Sequence, residues 1–152
     1  MKKIILLTGA AGFIGSHTWC SLLAAEYKVI GLDNLCNSVV KVVDRVAKIA
    51  GAQPHFVEGD VRNSALLGAL FAEYKIDAVI HFAALKAVGE SVRNPLAYYD
   101  ANLNGLLTLN KPIASHGVKK LVFSSSATVY GVPLMVWIKE NFPPPTHMVR
   151  LN

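Results

Sequence analysis

Residues Thr8 to His17 read TGAAGFIGSH. Gly9, Gly12 and Gly15 come directly after the apolar run IILLT and open a helical stretch at 12–25. A glycine triplet in that position lets backbone come close to something large. Gly9 permits a tight turn, Gly12 lets the chain approach a pyrophosphate, and Gly15 lets helix and strand pack closely. The helix N-terminus then offers unpaired N–H groups and a positive partial charge to phosphate. The spacing is GxxGxxG rather than GxGxxG, so the motif takes its meaning from the residues that follow it.

Outward from this turn, short apolar runs alternate with helical stretches. The runs at 4–8, 29–32, 55–57, 78–82 and 121–125 are rich in Val, Ile, Leu or Phe and are bounded by Gly, Asp, Asn or Ser. Helical stretches lie at 12–25, 39–50, 64–74 and 96–115. Such βαβα alternation predicts an α/β fold, a doubly wound, Rossmann-like parallel sheet with helices on both faces. Right-handed crossovers give the strand order 3-2-1-4-5. Pro112 falls late in the last helix and is expected to kink or end it near Asn110. Residues 1–131 form the expected domain, and 132–152 read as a linker and irregular tail with two Pro sites and no period.

Composition supports this reading. Hydrophobic residues make up 53% of the 152 and charged residues 16%, which excludes a disordered chain and a solvated coiled coil. A domain of this size folds without a metal or disulfide staple. The net charge is +5, but Lys and Arg are scattered and no basic run exceeds two residues, which argues against nucleic acid as a partner. Cys20 and Cys36 have no paired spacing and suit free thiols in a reducing cytoplasm. The Met1-Lys2-Lys3-IILL start resembles a signal sequence, but Thr8, Gly9, Gly12, Gly15 and Ser16 interrupt the apolar stretch. A secretory or membrane segment would be continuously apolar.

Each later strand end carries polar or small residues where an open α/β sheet binds its ligand. Asp33 ends the second strand, 18 residues past Gly15. An acid there accepts hydrogen bonds from the ribose hydroxyls of a dinucleotide and repels a 2′-phosphate. Asn34 follows it and no Lys or Arg appears before Lys41, so NAD is favoured over NADP. Asp60 is placed to reach the adenine amino group beside the backbone of Val61, or to cap the next helix. Ala83 and Ala84 let backbone pass close to the cofactor. Lys86 stands where it serves the cofactor, a diphosphate substrate or only solvent. His81 reads as a core histidine, and Asn102 as an inward hydrogen-bonding group or a plain core amide. Ser126 and Thr128, in FSSSATVYG, bring hydroxyls to the same face, suited to binding or relaying protons to a sugar hydroxyl. Tyr130 reads as packing.

The strings TGAAGFIGSH, LDNLCNS, FVEGDVRN, VIHFAALKAVGES and VFSSSATVYG resemble the extended short-chain dehydrogenase/reductase family, and within it the UDP-glucose 4-epimerases. LKAVGES and FSSSATVYG argue against the dehydratases and decarboxylases of the same family. The resemblance implies that Phe13 and Ile14 join the glycines at the pyrophosphate. It implies that Asp33, Asn34, Leu35, Cys36, Asn37 and Ser38 surround the adenosine ribose, and that Asp60 and Val61 meet the adenine. Phe82, Ala83, Ala84, Leu85, Lys86 and Asn102 would hold the inner half of NAD. Lys86, Ser126, Ala127 and Thr128 would meet the substrate, with Ser126 near the C4 hydroxyl and Thr128 supporting it. The implied reaction interconverts UDP-galactose and UDP-glucose through a 4-keto sugar, in a soluble cytoplasmic homodimer.

One element of the family pattern is missing. Its Tyr and Lys stand in a YxxxK motif, in which the ammonium lowers the phenol's pKa. The residues four after Tyr27, Tyr74, Tyr98, Tyr99 and Tyr130 are Gly31, Ala78, Asn102, Leu103 and Leu134. The family's later strands and substrate domain are not found either. A chain with the NAD site but without its chemistry is therefore expected to be inactive as written, or to be a non-catalytic NAD-binding module. Codons for Thr146 to Asn152 admit P-Y-G-x-S/T-K in a shifted frame, so a frameshift is the expected origin of the tail.

Overall fold

Five parallel strands form one sheet in the order β3-β2-β1-β4-β5. The computed structural model describes residues 2–125. The strands are β1 (Ile4–Thr8), β2 (Lys28–Asp33), β3 (His55–Glu58), β4 (Ala78–His81) and β5 (Leu121–Phe123). Between them run α1 (Phe13–Ala24), α2 (Lys41–Ala50) and α3 (Ser64–Glu73). β4 leads to α4 (Val88–Arg93), α5 (Pro95–Tyr99), a π-helical turn (Asp100–Asn104) and α6 (Gly105–Ser115). The expected order and alternation are therefore observed.

Alternation along the central strands explains the two-sided core. Leu6 and Ile30 pack with Leu67, Leu70 and Phe71 of α3 and Leu109 and Ile113 of α6. Their neighbours Leu7 and Val29 point the other way, against Trp19 of α1 and Val43 and Val46 of α2. Side chains alternate faces along a strand, so strands buried on both sides read as continuous apolar runs. Trp19 is fully buried. It lies so close over Gly31 that a Cβ there would sit 2.3 Å from the indole ring.

The stretch 96–115 differs from expectation. Helix α6 runs through Pro112 to Ser115 instead of stopping near Asn110. The proline removes one helical bond, to the Thr108 carbonyl. Burial of Leu109, Pro112 and Ile113 against the sheet outweighs that loss. The irregularity lies upstream instead, in the π-helical turn, where the Gly105 N–H donates to the Asp100 carbonyl. Helix α4 is an addition to the sequence-based elements. Residues 126–152, which include Ser126, Ala127, Thr128, Tyr130 and the tail, lie outside the described residues.

Candidate functional site

The strand order turns back between β1 and β4, and the crevice at such a switch is where open α/β sheets take ligands. Here it is a cleft of about 340 Å³. The glycine turn forms its floor. Gly9 has φ +68°, and a Cβ there would stand 2.7 Å from the Ala83 nitrogen, so turn and β4 loop meet backbone to backbone. Gly12 caps α1 with no side-chain hydrogen bond. The first helical bond runs from Ser16 N–H to the Gly12 carbonyl. The N–H groups of Phe13, Ile14 and Gly15 thus have no helical acceptor. The side chains of Phe13 and Ile14 are 82% and 55% exposed and stand outside the cleft wall, so any contact they make to an anion is through backbone. Gly15 also lies behind the wall.

Asp33 closes one side and is buried. Its Oδ2 accepts from the Ala11 N–H at 2.9 Å, and its Oδ1 from the Leu35 N–H at 2.8 Å and Ser38 Oγ at 3.0 Å. A carboxylate offers about four acceptor positions, so one on Oδ2 stays open. These bonds hold Leu35 at φ +58°, which turns Asn34, Cys36, Asn37 and Ser38 onto the wall while Leu35 faces away from it.

Asp60 and Val61 line the next part. Asp60 does not cap α3; Asn63 does, accepting from the Leu66 N–H at 3.1 Å. Arg62 instead grips Asp60. Its backbone N–H and Nε donate to Oδ1 at 2.8 and 2.9 Å, and its Nη2 to Oδ2 at 2.6 Å. Asn34 Nδ2 also donates to Oδ2, at 2.9 Å. The other guanidinium nitrogen, Nη1, pairs with Asp100 on the π-helical turn. The Arg62 hydrogen bonds hold the Asp60 carboxyl well below the ordinary carboxylate range, and Asp60 in turn raises Arg62. Asp100 is lowered by its bonds from Asn104 and Arg62.

Phe82, Ala83, Ala84 and Leu85 form the far wall, as their position at the end of β4 predicts. Asn102 stands behind this loop and not in the cleft. Its Oδ1 accepts from the Leu85 N–H at 2.8 Å and its Nδ2 donates to the Leu85 carbonyl at 3.0 Å. One donor and one acceptor of the amide thus hold the loop. Lys86 is exposed and outside the wall. His81 is a core residue, as expected: its Nδ1 is hydrogen-bonded to Thr8 Oγ1 at 2.6 Å, and its ring stacks on Phe123. Burial pulls its pKa down to about 4.

Arg62, Gly59, Leu32, Ala97 and Ala101 join the wall without having been singled out in the sequence. The pair Asp60-x-Arg62 was a readable signal for a local ion pair. Ala97 and Ala101, one helical turn apart, were readable as a stripe of small residues. Nothing in the sequence linked Arg62 to Asp100.

A doubly wound sheet with a glycine turn, a bare helix N-terminus and an acid at the end of β2 defines a dinucleotide-binding domain. The profile of the NAD dependent epimerase/dehydratase family matches residues 5–147. The chain belongs to that family. It is 54% identical over 144 residues to a UDP-glucose 4-epimerase of Neisseria meningitidis serogroup B, covering 95% of this chain and 42% of that protein. The corresponding enzyme of Bacillus subtilis is 52% identical over 139 residues, 91% of this chain and 41% of its own. Among solved structures, the UDP-glucose 4-epimerase of Bifidobacterium longum in complex with NAD+ and UDP superposes with a TM-score of 0.89 at 50% identity. That match covers 95% of this chain and 43% of the other. The chain therefore spans about two fifths of the length of these relatives.

Proposed function

We propose that this chain is the NAD-binding portion of a UDP-glucose 4-epimerase, an NAD-dependent isomerase that interconverts UDP-galactose and UDP-glucose through a 4-keto sugar. The observation that carries the reading is the make-up of the cleft. The uncapped start of α1 stands at its floor, an open acceptor position of Asp33 on one side, and the small residues Ala83 and Ala84 after β4 on the other. The α1 N–H groups of Phe13, Ile14 and Gly15 suit the pyrophosphate, with Gly12, bare of a side chain, letting the backbone approach it. Asp33 suits a ribose diol, with Asn34, Cys36, Asn37 and Ser38 around it. Asp60 and Val61 suit the adenine. The relatives' high identity and the NAD and UDP in the Bifidobacterium enzyme support the same assignment.

NAD fits better than NADP. Asp33 is a nearly enclosed acid, and Arg62, the one cationic side chain lining the cleft among the described residues, is already shared between two carboxylates. Bound NAD would supply the hydride acceptor and donor for the sugar's C4. Lys86, Ser126, Ala127 and Thr128 are assigned to the substrate, with Ser126 near the C4 hydroxyl. These 152 residues contain no YxxxK. On their own they hold the cofactor but lack the group that takes the hydroxyl proton, which also favours a second reading as a non-catalytic NAD-binding module.

We assign the protein to the cytoplasm and to a homodimer. No helix among the described residues is long and apolar enough to cross a membrane. Leu96, Tyr99, Leu103 and Leu107 form an exposed apolar stripe along α5 to α6 that suits a second copy. Calorimetric titration of the chain with NAD and NADP, followed by a UDP-galactose assay, tests the proposal. Saturable NAD binding, at least about ten-fold weaker NADP binding and no turnover are expected. Absence of NAD binding would overturn the cofactor assignment, and turnover would overturn the inactivity of these residues alone.

A further inference from the structure

The Asp60 carboxylate is already full. An ionised carboxylate has about four acceptor positions. Arg62 fills three and Asn34 the fourth. An adenine amino group can reach Asp60 only by replacing one of these donors, and they are not equally replaceable. The Arg62 contacts are charge-assisted and fork-shaped, come from one residue, and are held at the far end by Asp100. Asn34 supplies one neutral donor from an exposed loop. Its amide oxygen is separately engaged by the Cys36 N–H at 3.2 Å, so the loop keeps an anchor when the Nδ2 contact is lost.

We propose that Arg62 is a positioning residue for the adenine base: anchored by Asp100, it fixes the Asp60 carboxylate so that only the Asn34 contact yields to the base's amino group. This rests on the NAD reading above. Asp60 is expected to read the base and Arg62 to act through it. Arg62 is also the cation beside Asp60, and its hydrogen bonds hold that carboxyl well below the ordinary range. Arg62 does not itself recruit phosphate, because two carboxylates already balance it.

The test compares equilibrium binding of NAD with that of nicotinamide hypoxanthine dinucleotide, in which a carbonyl replaces the amino donor, to the full 152-residue chain. The parent is expected to prefer NAD about ten-fold or more, the scale of one charge-assisted hydrogen bond. Arg62→Ala and Arg62→Lys are expected to cut the preference below about three-fold, because lysine keeps the charge but not the fork. Asp100→Asn should fall between them and the parent. A purely structural role would weaken both dinucleotides alike and leave the ratio unchanged, which overturns the inference. Full preference retained in Arg62→Lys overturns it too, since charge alone then suffices. Far-UV circular dichroism checks folding; if Arg62→Ala is unfolded, the Lys and Asp100→Asn variants decide. A parent that binds both dinucleotides equally overturns the role of Arg62 but leaves the cofactor reading standing. A parent that binds neither overturns both.

Discussion

A Cβ at Gly15 would lie 2.0 Å from the Gly9 carbonyl oxygen, in fixed backbone. Gly15→Ala must therefore push α1 away from the turn. We expect a loss of about 2–3 kcal/mol in urea unfolding, the upper range of overpacking costs, together with weaker NAD binding. His81 gives a prediction of a different kind. Its folded pKa is about 4 against an ordinary 6.5, because burial disfavours the charged ring. Between those values the unfolded chain binds a proton that the folded chain refuses, so stability falls as pH falls through that window and is fully present above it. The contribution lost by pH 5 is about 2 kcal/mol. Urea midpoints at pH 7 and pH 5 should show it in the parent, and His81→Gln should remove that part of the slope. Both residues were legible in the sequence for a local reason: a glycine after a strand and a histidine inside an apolar run each declare their surroundings. Arg62 was not, because its meaning depends on Asp100, which only the fold brings near it.

The strands were the elements the sequence showed most clearly. β1 and β2 are buried along nearly their whole length, so there the apolar run marks the strand within a residue or two. β3 and β5, partly or wholly exposed, are marked instead by their apolar residues and the turn residues that bound them. The path from β4 to β5 was less legible. Its helix changes pitch at the π-helical turn, and its proline lies inside α6 instead of ending it. Both outcomes are set by tertiary contacts. The turn directs Asp100 to Arg62 and Asn102 to Leu85, on either side of Ala97 and Ala101 in the cleft wall. It thereby latches one helix to the two loops that frame the cleft. Asn102, which the resemblance places at the inner half of NAD, braces the loop that forms the wall. Asn102→Ala would leave the Leu85 N–H and carbonyl without these partners. The expected cost is about 2–3 kcal/mol, with faster hydrogen exchange at Leu85 and a fall in NAD affinity. Loss of stability with unchanged exchange at Leu85 would contradict the bracing role.

At the scale of the whole molecule the topology was legible because parallel crossovers leave few alternatives. The outer surfaces were not, since period and composition do not say which apolar residues stay uncovered. Two such surfaces stand out. One is the stripe of Leu96, Tyr99, Leu103 and Leu107, exposed by 78%, 62%, 54% and 64%. The other is β5, the outer strand of the described sheet, where Leu121, Val122 and Phe123 are exposed. Burying what remains exposed of the four stripe residues contributes about 4–8 kcal/mol per copy. Doubled across a two-fold pair, this is of the size needed to offset the cost of association. A strand edge, by contrast, recruits copies without closing, and so yields aggregates of no fixed size. Sedimentation velocity separates the two. If the stripe is the contact, the parent should sediment as a dimer, Leu103→Asp with Leu107→Asp should give monomer, and Val122→Lys should leave the dimer intact. If instead Val122→Lys disperses the material and the double Asp variant does not, association runs through β5 and the homodimer assignment fails.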